Sequence, residues 1–258
     1  MKITCCIWAF SPPDTEILRQ VRELGFDWID IQPGQLQTLE SRLLAQELGI
    51  RVSCVGASFG MPPGSALDSP DPAARQAAVD HVAKAIEQAA DVRADTVYVV
   101  PGKDESGEAL RKFAESLTGL ADVASKRNVK LAIEHFPGTA LPTAARTLEF
   151  ILQAGHRNLY LLIDTGHLQI TGEEAAGTIL NAGDRVAYVH FDDNDGIGDL
   201  HWALLDGVMT EESLATTIAA LDDIGYQGAL SLELNPKLPK VKRALQSSRD
   251  ILIRSCLL

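Results

Sequence analysis

Eight short apolar runs alternate with stretches of helical periodicity along almost the whole chain, and this alternation limits the folds that the sequence can adopt. Continuous or every-second-residue apolar patterns indicate strands, whereas apolar residues three and four positions apart indicate amphipathic helices. The strand-like segments are 2–8, 26–31, 51–56, 96–100, 129–134, 159–164, 185–190 and 229–234. The helical segments are 14–24, 36–48, 72–90, 108–127, 142–154, 173–182, 211–224 and 238–253.

Eight successive strand–helix units predict a (β/α)8 TIM barrel, an α/β fold in which parallel strands close on themselves inside a ring of helices. The length of 258 residues is usual for such a barrel. No linker or shift of composition divides the chain, so we expect a single domain over residues 1–258. A doubly wound open sheet is the alternative, but no glycine-rich phosphate fingerprint follows the first strand.

Four ionisable residues lie at the ends of the last four strand-like segments: Glu134, Asp164, His190 and Glu233. Alternate residues of a barrel strand face the interior and the helices. In KLAIE and ALSLE the larger apolar residues share one face and the final glutamate lies on the other. We therefore expect both glutamates inside the barrel at its C-terminal mouth, where barrel active sites lie.

The convergence of these four side chains predicts a metal site. Three carboxylates brought together without a cation would repel one another and raise one another's pKa values. Carboxylate oxygens with one imidazole nitrogen suit Mn²⁺, Mg²⁺ or Co²⁺, and Zn²⁺ is a further candidate. We expect a divalent ion bound by Glu134, Asp164, His190 and Glu233.

Other polar and aromatic residues are predicted at the same mouth as substrate contacts. His167 follows Asp164 in DTGH at an offset that brings it back over the site, as a ligand, a hydrogen-bond donor or a loop cap. Asp199 and His201 form a D-x-H pair that could reach a cation or a substrate hydroxyl. The pair lies in the long acidic segment 191–207, where other acidic residues could equally be solvated turn residues. Trp8 ends the first strand, as a wall beside a sugar or as ordinary packing.

Charge and composition restrict the partners. The net charge of −12 disfavours nucleic acid, because binding phosphates needs clustered Lys and Arg. The four cysteines contain no CxxC motif and are expected to be reduced, mostly buried thiols. The N-terminus lacks the features of a secretory signal, and no apolar run approaches the about 18 residues that span a bilayer. We expect a cytoplasmic protein without a membrane partner.

At these residues the chain resembles the xylose isomerase-like superfamily of TIM barrels, in particular its sugar phosphate isomerase/epimerase group and the ketose 3-epimerases within it. The matching motifs are IEHFPG, IDTGH, VHFDD, GDLH and LELNP. The resemblance implies that Glu134, Asp164, His190 and Glu233 bind one divalent metal ion, usually Mn²⁺ or Co²⁺. It also implies that the two glutamates move the proton, that His167 contacts a substrate oxygen, and that a homodimer is one expectation.

Two features of the chain keep other reactions open. The resembling epimerases carry an arginine shortly after the seventh-strand histidine, where this chain has FDDNDGIGD. Apurinic-site endonucleases of the superfamily add histidines after strands two to four, where this chain has IDIQPG, CVGASFG and VVPGKD, so DNA repair is disfavoured.

The expected activity is a sugar isomerase or epimerase that moves a proton next to a carbonyl through a metal-stabilised enediolate, with Glu134 and Glu233 as the proton carriers. The substrate would be a small sugar-like molecule. The same chemistry supports a lyase, dehydratase or decarboxylase acting on a keto-sugar or an inosose. A barrel that binds sugar without turnover is the contrasting class.

Overall fold

The computed structural model describes residues 1–10 and 13–256, in which eight parallel strands pair in chain order and close into a barrel. The strands are β1 Lys2–Cys6, β2 Trp28–Ile31, β3 Arg51–Gly56, β4 Thr96–Val99, β5 Lys130–Glu134, β6 Leu159–Asp164, β7 Val186–Phe191 and β8 Ala229–Leu232. The α-helices are α1 Asp14–Glu23, α2 Leu39–Glu47, α3 Pro72–Asp91, α4 Gly107–Lys126, α5 Ala144–Ala154, α6 Thr165–Thr171, α7 Ala175–Ala182, α8 Glu211–Asp223 and α9 Val241–Ser255. The predicted (β/α)8 barrel is confirmed.

The core has two parts, one between the strands and the helices and one inside the barrel. Leu131 and Ile133 of β5 pack in the outer part, whereas Ala132 packs inside. Likewise Leu230 packs outside and Ala229 inside. The predicted register is confirmed, and it directs both glutamates to the barrel interior.

Several helices begin where the sequence provides a capping side chain. The Asp71 carboxylate accepts the backbone N–H of Ala73, with Pro72 in the first turn. The helix predicted from residue 36 begins later, at Leu39, because Leu36 has a left-handed backbone (φ 54°) and Thr38 supplies the cap. The first strand is shorter than predicted, since residues 7–9 form a 3₁₀ turn.

The short helix α6 was not predicted. It begins directly after β6, with no loop between them, because the Asp164 side chain accepts the backbone N–H of His167 and caps the first turn. Gly172 ends it in a left-handed conformation (φ 70°). The helix places His167 over the mouth of the barrel, at the helical offset that the sequence suggested.

Among the described residues, every helix is too short or too polar to span a membrane.

Candidate active site

The four predicted metal ligands lie together at the C-terminal mouth of the barrel. Glu134 and Asp164 are the last residues of β5 and β6, His190 is the penultimate residue of β7, and Glu233 follows β8 directly. Their side chains are almost fully buried, with 3%, 0%, 0% and 9% of the residue surface exposed. One potential ligand atom from each lies within 4.8 Å of all the others. The four groups could therefore bind one ion together.

His190 is the centre of this cluster. Its Nδ1 donates to Glu134 Oε1 at 3.0 Å and lies 2.7 Å from Glu233 Oε2. The same nitrogen is 3.8 Å from Asp164 Oδ2, a buried oxygen that has no hydrogen-bond partner among the described residues. An imidazole nitrogen facing three carboxylates is in the place that a cation would occupy.

The cluster shifts the pKa values of its members strongly. Burial raises the pKa of Glu134. Burial also opposes ionisation of Glu233, but the positive charge and hydrogen bonding of His190 outweigh it and lower the pKa of Glu233 to about 2. Burial disfavours the charged imidazole, yet Glu233 and Glu134 raise the pKa of His190 well above its usual range. Perturbed pKa values of this kind are typical of functional sites.

A second group of predicted residues forms a row of side chains beside the cluster of metal ligands. His167 Nδ1 donates to the backbone carbonyl of His135 at 2.9 Å, and its Nε2 lies 3.5 Å from Asp199 Oδ1. Asp199 Oδ1 is also 3.1 Å from His201 Nε2. His201 Nδ1 lies 2.9 Å from Asp192 Oδ2. Two carboxylates and two imidazoles thus alternate along the rim of the site.

In this row of side chains, too, carboxylates raise the pKa values of the buried imidazoles. Burial opposes protonation of His167, but Asp164, Asp199 and Glu134 raise its pKa to about 10. Burial is also outweighed at His201, where Asp192 and Asp199 raise the pKa well above its usual range. These shifts favour the protonated form of both imidazoles. They supply N–H donors to the mouth.

The loop between β7 and α8, residues 192–210, contains buried acids where solvated ones were considered. Asp192 and Asp193 are fully buried, whereas Asp195 is exposed. Burial, followed by the nearby charge of Asp164, raises the pKa of Asp192 to about 7. The Asp193 carboxylate accepts backbone N–H groups of Gly207 and Met209, which ties the two ends of the loop together.

Trp8, which was predicted as an aromatic wall, also makes a polar contact in the site. The Trp8 indole N–H donates to Glu233 Oε1 at 2.9 Å, and the ring lies 4.9 Å from that of Phe59. Trp8 therefore holds one of the predicted proton carriers in place, besides any contact with a substrate. A cavity of about 190 Å³ opens above the site. It is lined by Ser58, Phe59, Tyr98, Val100, Glu134, Phe136, His167, His201 and Glu233.

Two buried polar residues that support the site were missed from the sequence. Asp30 of β2 accepts hydrogen bonds from the hydroxyls of Ser53, Tyr188 and Ser231 below the cluster, and lies 4.0 Å from His190 Nε2. The polar residue inside the apolar run WIDI was the available signal. His135 accepts the backbone N–H of Asp164 with Nε2, and no sequence pattern distinguished it.

Known proteins resemble this chain over most of its length. The family model described as "xylose isomerase-like TIM barrel" matches residues 18–251. An L-ribulose 3-epimerase from Methylomonas sp. strain DH-1 is 27% identical over 233 residues, covering 83% of this chain and 78% of the relative. A D-psicose 3-epimerase from Enterocloster bolteae is 25% identical over 242 residues, covering 83% and 74%. A solved structure of an L-ribulose 3-epimerase superimposes with a TM-score of 0.84 at 21% identity, covering 99% of this chain and 94% of the other.

Proposed function

Because the chain belongs to the xylose isomerase-like TIM barrel family, we propose that it is a metal-dependent sugar isomerase or epimerase that moves a proton on the carbon next to a carbonyl. The observation that carries the proposal is the buried convergence of Glu134, Asp164, His190 and Glu233. Relatives named as ketose 3-epimerases over most of the chain support a ketose as substrate and C3 epimerisation as the reaction.

The residues present fit a divalent ion. Three carboxylates and one imidazole form a donor set suited to Mn²⁺, with Mg²⁺, Co²⁺ or Zn²⁺ as alternatives. The buried Asp164 Oδ2 has no hydrogen-bond partner among the described residues, which is costly unless a cation accepts its charge. When bound, the ion would act as a Lewis acid for adjacent oxygens of the sugar.

The chain's own contribution is proton transfer by Glu134 and Glu233. One carboxylate removes the proton from the carbon beside the carbonyl, giving an enediolate, and the other returns a proton to the opposite face. Glu233 is positioned for this by the Trp8 N–H. Glu134 would be held by the ion that it shares with Asp164 and His190. Both groups are almost fully buried, and both line the cavity where a sugar would bind.

The mouth of the site suits a neutral, unphosphorylated sugar. None of the residues that line the described cavity is Lys or Arg, and Asp199 lies between the two charged imidazoles. The N–H groups of His167 and His201 and the carboxylate of Asp199 can hydrogen-bond to sugar hydroxyls. Phe59 and Phe136 line the cavity and provide an apolar wall against a face of the sugar, and Trp8 packs against Phe59.

The proposal is tested by incubating the Mn²⁺-loaded protein with L-ribulose, D-psicose, D-fructose and D-tagatose in D₂O and following the products by NMR. We expect deuterium at one carbon next to the carbonyl and an epimer as product, with loss of both in EDTA. In Glu233→Gln the rates of deuterium exchange and of epimerisation should both fall at least about 100-fold, because a positioned acid or base contributes 10²–10⁴-fold. Glu105→Gln, which changes an exposed glutamate, should have no effect.

The possible outcomes separate the alternatives. Undiminished exchange and turnover by metal-loaded Glu233→Gln would overturn the role of Glu233. An unsaturated or decarboxylated product from an inosose or keto-sugar, without epimer, would indicate the lyase class. Sugar binding with no exchange at all would indicate a binding protein. The single domain, the homodimer and the cytoplasmic location stay predictions from the sequence.

A further inference from the structure

We propose that Asp192 is a positioning residue that fixes the His201 ring, so that the Nε2–H of His201 faces the cavity as a donor to a substrate oxygen. The inference rests on the proposed function for the identity of the substrate, a neutral ketose. It extends that function by assigning a role to a buried carboxylate outside the predicted metal ligands. Asp192 acts through His201 and does not itself touch the sugar.

The first support is the contact between the two side chains. Asp192 is fully buried, and its Oδ2 lies 2.9 Å from His201 Nδ1. Its Oδ1 accepts the backbone N–H of Gly166 at 2.9 Å, which fixes the carboxylate against the first turn of α6. A Cβ at residue 166 would lie 2.5 Å from that oxygen, so glycine permits this approach. The carboxylate is therefore held rigidly, and its other oxygen makes a close charge contact with the imidazole, without the alignment of a hydrogen bond.

The second support is the backbone that presents His201. His201 has a left-handed conformation (φ 48°), which is uncommon for a residue other than glycine. The Asn194 side-chain oxygen accepts the backbone N–H groups of Leu200 and His201 at 2.6 and 3.0 Å, and the His201 carbonyl accepts the N–H of Asn235 at 2.9 Å. A strained residue that is held by several hydrogen bonds is typical of a functional position.

The third support is the direction of the other ring nitrogen. His201 Nε2 lies 3.1 Å from Asp199 Oδ1, and the Asp199 side chain is 32% exposed. His201 itself lines the cavity beside His167. Nδ1 faces the Asp192 carboxylate and Nε2 faces the Asp199 carboxylate, so the doubly protonated ring is favoured and presents an Nε2–H to Asp199 and to the cavity. A sugar hydroxyl or carbonyl oxygen can then accept this N–H in place of Asp199.

A double-mutant cycle tests whether Asp192 acts through His201. In Asp192→Asn the amide keeps the shape of the side chain but removes the negative charge beside Nδ1. The doubly protonated ring is then disfavoured, and its Nε2–H becomes a weaker, neutral donor or turns away from the cavity. With D-psicose or L-ribulose as substrate, we expect kcat/KM to fall about 10- to 100-fold, mostly through KM. The reason is that the hydrogen bond from the charged His201 ring to the sugar oxygen is weakened. His201→Gln should show a similar loss, and the double variant no more than about twofold beyond it.

The controls separate positioning from a general structural effect. Asp195→Asn changes an exposed carboxylate of the same loop and should leave kcat and KM unchanged. If Asp192→Asn lowers kcat/KM by the same factor in the His201→Gln background as in the wild type, Asp192 acts independently of His201 and the proposal is wrong. Binding of two Mn²⁺ ions per chain, with one lost in His201→Gln, would also overturn it, since Nε2 would then be a ligand instead of a donor.

A measurement without turnover keeps the proposal testable if Asp192→Asn does not fold or if no sugar is converted. Long-range ¹H–¹⁵N NMR of the histidine rings in the wild-type protein at neutral pH should show a protonated Nδ1 on His201, assigned by its absence in His201→Gln. An unprotonated Nδ1 would refute the role of Asp192. A protonated Nδ1 in a protein that converts no ketose would refute the proposed function and leave the contact standing.

Discussion

Adding Mn²⁺ to the metal-free protein is expected to displace a proton from His190, and this exchange tests the proposed metal site directly. In the structure the Nδ1–H of His190 points into the carboxylate cluster, donating to Glu134 at 3.0 Å and lying 2.7 Å from Glu233. An imidazole nitrogen binds a metal only through its lone pair. The proton on Nδ1 must therefore leave when the ion binds.

The size of the effect follows from the protonation of the cluster. Glu233 and Glu134 raise the pKa of His190 well above its usual range despite burial, so the metal-free ring is charged at neutral pH. Each ion should then release about one proton, and somewhat more at lower pH, where the raised pKa of Glu134 keeps part of that group protonated. The apparent affinity should rise about tenfold per pH unit for each proton released.

Isothermal titration calorimetry in buffers of different ionisation enthalpy measures the number of protons directly. Asp164→Asn should weaken binding while releasing the same number of protons, and Asp95→Asn, which changes a half-exposed carboxylate paired with Lys2, should change neither. At a hundredfold excess over Kd the ion should stabilise the fold by about 2.7 kcal/mol, or roughly 5–10 °C in Tm. Binding without proton release and with a pH-independent affinity would refute the assignment of His190 Nδ1.

Three further predictions concern residues around the cluster. Trp8→Phe removes the N–H donated to Glu233, so kcat should fall about tenfold with a smaller change in KM in steady-state assays, and an unchanged kcat would contradict this. The pKa of His167 is raised from 6.5 to about 10, so protonation of this ring contributes to the free energy of unfolding of the metal-free protein. The contribution is complete below pH 6.5 and is lost between pH 6.5 and pH 10 at about 1.4 kcal/mol per pH unit. In urea unfolding with EDTA, the free energy of unfolding should fall less steeply with rising pH for His167→Gln than for the wild type. Equal slopes in the two proteins would refute the role of the His167 proton. Asp193→Ala removes the acceptor of several N–H groups in the β7–α8 loop, so limited proteolysis should cut that loop faster than in the exposed control Asp206→Ala, and equal rates would count against this.

The barrel and the main cluster could be predicted because both depend on local patterns. Period-two alternation in KLAIE and ALSLE assigned Glu134 and Glu233 to the interior, and the closed sheet then brought neighbouring strand ends together. Helix α6 could not be predicted, because Asp164 serves both as the end of a strand and as the cap of a helix that follows with no loop. The burial of Asp192 and Asp193 depends on a long loop folding back over α6, which no periodicity describes.

The distribution of charge explains why the site uses imidazoles instead of permanent cations. Six carboxylates in and around the mouth form ion pairs, and among the described residues every such partner is one of three histidines: His167, His190 and His201. An arginine in the same place would neutralise the carboxylates permanently and exclude a metal ion. An imidazolium stabilises the buried acids while the ion is absent and gives up its proton when the ion arrives. Burial raises the pKa values of Asp30 and Glu134 and brings that of Asp192 to about 7, so the six acids are not all fully ionised at neutral pH. A divalent cation beside them favours their ionised forms, and we therefore expect uptake of the ion and release of protons to occur together.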